Sequence, residues 1–200
     1  MVSGHKTSTS GPLNLHEIAE LHRIDIEDGL VLRPLAEADA TDILAILGKD
    51  PDIRQNVSVA NKMNSPAGVS DTIKTAAEDG GLIRYVLDFD GKCIGMISFW
   101  RYDGFFGDDP RPNSYGFGYF LDNIYRGKGF ITTSLLKLMQ VARQNMYVEE
   151  FIAFCTDENP ASSKILQTVG LKPTDNLVKE PNNGWLEREY STKQPYEQNI

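Results

Sequence analysis

Leu121-Asp122-Asn123-Ile124-Tyr125-Arg126-Gly127-Lys128-Gly129-Phe130-Ile131-Thr132-Thr133-Ser134 is the stretch around which the chain is arranged. An apolar, aromatic run from Tyr115 to Leu121 feeds it and reads as a strand. Beyond it, Ile131, Leu135, Leu138, Met139, Ala142 and Met146 recur at the spacing of one helix face. The unit is therefore strand, turn, helix. Gly127 and Gly129 let the backbone approach a ligand without Cβ atoms in the way. The first amides of a helix have no partner inside it, and the helix dipole favours an anion there. Arg126 and Lys128 add positive charge, and Thr132 and Thr133 add hydroxyls. Together these residues make a cradle for a phosphate or pyrophosphate.

Two familiar phosphate loops are excluded. The order Gly-Lys-Gly-Phe lacks the spacer and the Gly-Lys-Ser/Thr ending of a Walker A loop. The third glycine of a dinucleotide-binding fingerprint is absent, and the strand lies in mid-chain. Two hundred residues, 40% hydrophobic and 24% charged, suit one globular domain. A net charge of -8 argues against nucleic-acid binding and fits a cationic substrate such as an amine. Cys93 and Cys155 sit in apolar runs and read as buried thiols. No metal or disulfide spacing is present, so a reducing, cytoplasmic setting and no metal are expected. Residues 1–10 lack the apolar centre of a signal peptide, and no membrane association is expected.

Read in order, residues 1–12 are expected to be disordered and 13–29 to form a helical extension. The main domain is placed at 30–190 and a polar tail at 191–200. Leu30 to Arg33 reads as the first strand, and Glu37 to Leu47 as a helix stopped by Gly48. Asp50 to Gly68 reads as irregular, with Pro51 able to start a short helix. Val69 to Glu78 reads as a second helix. Leu82 to Phe89 and Lys92 to Tyr102 form a hairpin across Asp90-Gly91. Asp103 to Asn113, with Phe105 and Phe106, reads as a long loop and a candidate substrate rim. After the central unit come a strand over Glu149 to Thr156 and a helix capped by Asn159, with Pro160 in its first turn and Gly170 behind it. Leu171 to Val178 and Trp185 to Tyr190 read as the last strands.

The stretch resembles the acyl-CoA loop of the GNAT N-acetyltransferases, Arg/Gln-x-x-Gly-x-Gly/Ala. Arg126 and Gly129 match, and Ile131 departs from the final Gly or Ala. Gly118-Tyr119-Phe120-Leu121 with Tyr125-Arg126-Gly127-Lys128-Gly129 looks most like the RimJ/RimL-like branch that acetylates ribosomal-protein N-termini. Asn159-Pro160-Ala161-Ser162 followed by Val169-Gly170-Leu171 resembles a second family motif. The resemblance spans about Leu30 to Tyr190. It implies a mixed α/β (α+β) single domain with a mostly antiparallel sheet flanked by helices.

The same resemblance implies a chemistry and a set of residue roles. An acetyl group passes from acetyl-CoA to a primary amine. The strand Ser114 to Leu121 splays from its neighbour, and pantetheine lies along it with Phe120 and Leu121 nearest the thioester. A backbone N–H there stabilises the oxyanion. Arg126, Gly127, Lys128, Gly129, Phe130, Ile131 and Thr132 hold the pyrophosphate. Asn159 hydrogen-bonds the cofactor, or is only a helix cap. Ser162 gives a proton to the departing sulfur, or is only a first-turn serine. The glutamate that relatives often carry on the feeding strand is replaced by Gly116, so the general base is left open among Asp103, Asp108, Asp109 and Asp122.

The acceptor is expected to be a protein N-terminus or a small amine, and the protein a monomer or homodimer. An α-amine with pKa near 8 is roughly a tenth deprotonated at pH 7, a lysine only about 0.04%. An enzyme without a strong base therefore favours α-amines. Gly116 keeps a non-catalytic acyl-CoA sensor open, and Ile131 an interaction domain with a degenerate loop.

Overall fold

The strand-forming runs of the sequence pair into one eight-stranded sheet. The structure is a computed structural model and describes residues 14–104, 109–180 and 184–193. The expectations for residues 1–12, for Phe105, Phe106 and Asp108, for part of the loop before Trp185 and for the tail beyond 193 lie outside the described residues. The strands are β1 (Ile24–Asp25), β2 (Leu30–Pro34), β3 (Leu82–Phe89), β4 (Lys92–Arg101), β5 (Ser114–Leu121), β6 (Glu150–Cys155), β7 (Lys172–Lys179) and β8 (Leu186–Ser191). Their spatial order is β1-β2-β3-β4-β5-β6-β8-β7. Every pairing is antiparallel except β5 with β6.

The parallel pair is short. Its register runs only through Ser114↔Glu150, Tyr115↔Phe151 and Gly116↔Ile152. Beyond it β5 continues to Leu121, paired only with β4, while β6 pairs only with β8. The sheet therefore opens along a seam between Phe117 and Leu121.

Alternation along the strands gives the sheet two apolar faces. One carries Ile83, Tyr85, Leu87, Ile97, Phe99, Phe117 and Leu121. It packs against α5 (Phe130–Asn145) through Ile131, Leu135, Leu138, Met139 and Ala142, and against Leu166 of α6 (Pro160–Thr168). The other carries Val86, Met96 and Phe120. It packs under α1 (Ala40–Lys49), α2 (Pro51–Asn56), α3 (Ser58–Lys62) and α4 (Pro66–Asp79).

Two segments differ from the sequence reading. Residues 50–68 are largely helical: the Asp50 side chain caps α2 by accepting from Asp52 N, Pro51 begins it, and Ser65 caps α4. Short polar helices of this kind owe their stability to packing, here of Ile53, Ala60 and Met63 into the core, which periodicity over five or six residues does not reveal. The 13–29 stretch contains two 3-10 turns (Leu15–Glu17 and Ala19–Leu21) and then β1, rather than an amphipathic α-helix. Leu15 and Leu21 are fully buried in the main core, each a burial worth about 1.5–3 kcal/mol. His16 places Nε2 within 3.0 Å of two main-chain carbonyls, of Ala76 and Leu82.

Candidate active site

The loop between β5 and α5 opens with a 3-10 turn (Asn123–Tyr125), capped by the Asp122 carboxylate accepting from Ile124 N. Gly127 and Gly129 take φ of +75° and +85°, and a Cβ built on either would meet nothing within 4 Å. The left-handed backbone thus faces open space, and α5 starts immediately behind it with no side-chain cap on its first amides. Rings of Phe89, Tyr125 and Phe130 stand 5.0–6.2 Å apart and anchor the loop to the end of β3. Ile131 buries its side chain in the core, so its bulk does not stand in the loop.

The charged residues of the loop are committed differently from the sequence reading. The Arg126 guanidinium turns toward the protein, donating to the Leu121 carbonyl and pairing with Asp50 at the α2 cap. Lys128 lies over the Tyr125 ring, 5.2 Å from its centroid. Thr133 returns its hydroxyl to the carbonyls of Gly129 and Phe130. The anion-attracting groups left facing outward are the loop and helix amides and Thr132, which lines the adjoining cavity.

That cavity, about 1160 Å³, runs from the loop along the open seam to the far side of the sheet. It exceeds the roughly 300–1,000 Å³ of a single small-ligand pocket. Phe120, Leu121, Arg126, Gly127, Gly129, Phe130, Ile131, Asn159 and Ser162 all contribute to its lining. Asn159 caps α6, its Oδ1 accepting from Ser162 N at 3.1 Å, and its amide donates to Asn56 Oδ1. Ser162 Oγ meets the hydroxyl of Tyr119, on the part of β5 that is paired only with β4, at 2.9 Å. Burial drives the Tyr119 phenol well above its ordinary range, so it keeps its proton. Tyr119 is a member of this site that the sequence reading passed over. The signal was its place among Phe117, Tyr119 and Leu121 on an apolar face, where a buried hydroxyl needs a partner.

The carboxylates follow the same pattern. Asp103 is bound to Arg101, Asp122 is the turn cap, and Asp109 is exposed. No side chain fits at 116, because a Cβ there would lie 2.4 Å from the Trp100 indole. Glu187 of β8, instead, lines the cavity. Register and alternation place it opposite to Tyr190, whose hydroxyl reaches Ser163 on the α6 side. Burial, then repulsion from the nearby Glu180, pushes its carboxyl up to about 7. Glu180 is itself buried and lines the same cavity. Cys93 and Cys155 are free, buried thiols as expected, and burial raises both.

A sheet opened beside a glycine loop and a helix start, with a hydroxyl pair at the seam and two acids in the same cavity, fits an acyl-CoA-dependent transferase. The open seam offers backbone along Phe117–Leu121, and the bare loop offers amides, which fit a pantetheine arm and a pyrophosphate. The chain belongs to the GNAT acetyltransferase family, whose domain profile matches residues 29–172. Acetyl-CoA is accordingly the acyl donor.

Solved structures share the fold. A RimL ribosomal L7/L12 alpha-N-protein acetyltransferase in complex with coenzyme A matches at TM-score 0.71 and 18% identity, over 84% of this chain and 96% of that one. The microcin C7 self-immunity acetyltransferase MccE with acetyl-CoA and AMP matches at 0.69 and 17%, over 82% and 92%. Mycobacterium smegmatis RimJ in complex with CoA-disulfide matches at 0.67 and 16%, over 84% of each chain. No match was found among curated proteins. Among the described residues there is no cluster able to hold a metal and no helix long and apolar enough to cross a membrane.

Proposed function

We propose that the protein transfers acetyl from acetyl-CoA to a primary amine, with α-amines of protein N-termini or small molecules preferred over lysine side chains. The observation that carries this is Glu187, a cavity carboxylate titrating near 7 beside a second acid. Such a base takes a proton from an α-ammonium of pKa near 8 at a cost of about one unit. From a lysine ammonium near 10.4 it does so at a cost above three, a gap of roughly 3 kcal/mol. Neutralising an arriving cation between Glu180 and Glu187 also favours amines over neutral nucleophiles.

Bound acetyl-CoA supplies the activated acyl group. The amides of the Gly127–Ile131 loop hold its pyrophosphate, with Lys128 adding field and Arg126 keeping the loop against α2. The backbone N–H of Leu121, on the open edge of β5, donates to the carbonyl oxygen as charge develops on it, while Phe120 turns its own N–H toward β4. Ser162, supported by the Tyr119 phenol, delivers a proton to the departing sulfur, and Asn159 orients Ser162 through the helix cap. Titratable partners are thereby divided: Glu187 accepts, while Tyr119 and Ser162 donate.

The test is release of coenzyme A with two matched peptide sets, one with a free α-amine and no lysine, one N-terminally blocked with a single lysine, and mass spectrometry of the products. Acetylated α-amines are the expected outcome. Transfer confined to the lysine set overturns the preference, and no transfer to either overturns the reading.

A further inference from the structure

One charge in the cavity has no part in moving acetyl to a simple amine. Arg84 lies in the middle of β3, and its side chain crosses to β4, where Nη1 donates to Ser98 Oγ at 2.9 Å. Its Nε is buried and has no hydrogen-bond partner. Arginines 33, 101, 111, 126 and 188 all form ion pairs. Arg84 forms none among the described residues, and Asp79, at the end of α4, acts on it only as a charge. Burial pushes its guanidinium down to about 10. A partly buried guanidinium whose Nε is buried and unpartnered is an unfavourable arrangement unless an anion completes it.

The register says where that anion would sit. Arg84 pairs with Ser98, and Ser98 with Gly118, so the three share one row and one face of the sheet. Gly118 belongs to the open part of β5, two residues before Phe120. A Cβ added to it would find Trp100 at 3.7 Å as its nearest neighbour, so the row has room above it. Trp100, in the next row, covers Gly116 and walls one side. Arg84, Ser98, Trp100, Gly118 and Glu187 line the same cavity.

We infer that Arg84 and Ser98 form an anion subsite, and that the preferred acceptor is an amine that also carries a carboxylate. The inference rests on reading this cavity as the acceptor site. With Nη1 held by Ser98, the edge left is Nε with Nη2, the side-on fork that matches a planar carboxylate with two parallel hydrogen bonds. A phosphate dianion suits the place less well, because Glu180 and Glu187 line the same space. Adjacent strands lie about 4.8 Å apart, so the fork stands roughly 5–10 Å from the acyl position beside Phe120. Once about 3 Å is allowed for the amine's approach to the acyl carbon and about 3 Å for the hydrogen bond to the fork, the remainder admits the amine and α-carboxylate of a free amino acid, or at the long end an acidic side chain next to a peptide's N-terminus.

The experiment compares kcat/KM for two matched pairs: a peptide with Glu against Gln at its second position, and a free amino acid against its amide. Each is run with the wild type, Arg84→Met and Ser98→Ala, all checked by circular dichroism. A preference of tenfold or more for the carboxylate member of one pair, falling toward one in Arg84→Met and partly in Ser98→Ala, is expected, and the pair that shows it names the carboxylate's source. Equal use of both members by the wild type, or a preference that survives Arg84→Met, overturns the subsite.

A binding readout separates this failure from failure of the amine reading. Nα-acetylated Glu and Gln peptides are titrated calorimetrically in the presence of coenzyme A. Tighter binding of the Glu peptide to the wild type, equalised in Arg84→Met, supports the subsite even where no transfer occurs. Equal affinities overturn it.

Discussion

Replacing Glu187 by Gln is expected to make the protein more stable and less active, by amounts that both grow as pH rises through 7. The carboxyl is raised in the folded state from about 4.5 to about 7 by burial and by Glu180. A raised acid is bound by its proton more tightly when folded, so its favourable contribution is present below about pH 4.5. It is lost as pH rises through 7, and above that the ionised group is a constant penalty. Two and a half units at 1.36 kcal/mol each give about 3 kcal/mol, and partial solvent contact reduces this to about 2. Gln keeps the shape without the charge. At pH 8 the variant should therefore unfold about 4–8 °C above the wild type, for a chain of this size. At pH 5, where Glu187 is protonated in the folded state but largely ionised in the unfolded one, most of the difference should be gone, and at about pH 4, below both values, the two should melt together. In the same variant kcat should fall about a hundredfold, and the rise of kcat/KM with pH through 7 should disappear. A stability difference that is the same at pH 5 and pH 8 would refute the reasoning, because the penalty would not come from ionisation. Unchanged activity with the expected stability pattern would leave Glu187 a partly buried acid but not the base.

Tyr119→Phe and Ser162→Ala should each lower kcat about tenfold, and the double variant should be little worse than either, since the 2.9 Å contact makes them one unit. Gly129→Ala has free space but a φ of +85°, so it should cost about 1 kcal/mol in backbone strain and raise the KM for acetyl-CoA with kcat held; denaturant melts and initial rates check both. Gly116→Ala drives a methyl into the Trp100 indole, and about 1–3 kcal/mol should be lost in a urea melt, most of it recovered when Trp100→Leu is added.

The parts of the fold that could be read in advance are those with strong local grammar. β3 and β5 begin and end where the sequence reading put them, because Gly81 and the Asp90-Gly91 turn bound one and the glycine loop closes the other. α5 and α6 carry long apolar periods or complete cap signals, which fix their extents. The helices of residues 50–68 escaped because each is too short to show a period. The 3-10 turns around Leu15 and Leu21 escaped because Leu15, Ile18, Ala19 and Leu21 recur at spacings of three and four, which mimic one face of an amphipathic helix.

For the site, the glycine loop announced itself through spacing inside one segment. Glu187 and Arg84 could not. They stand about a hundred residues apart and share a cavity only because the sheet places β6 between β5 and β8, a fact of topology rather than of sequence neighbourhood. Arg126 shows the complementary limit: its position was legible, but its partner Asp50 lies in another element, and the pairing decides where the guanidinium points.

The three-residue parallel pairing makes the sheet two leaves sharing a short hinge, and both ends of the opening are pinned. At the hinge, Arg111 joins Glu150 of one leaf to Glu189 beside it, and Ser114 reaches across to Glu150. Farther along, the Tyr119–Ser162 bond ties the free stretch of β5 to α6 like a strut. The width of the gap is thus set before any ligand arrives. A chain entering it neither prises the leaves apart nor waits for them to close, so little ordering entropy is spent on admission, and tightness should be governed by how fast the occupant leaves.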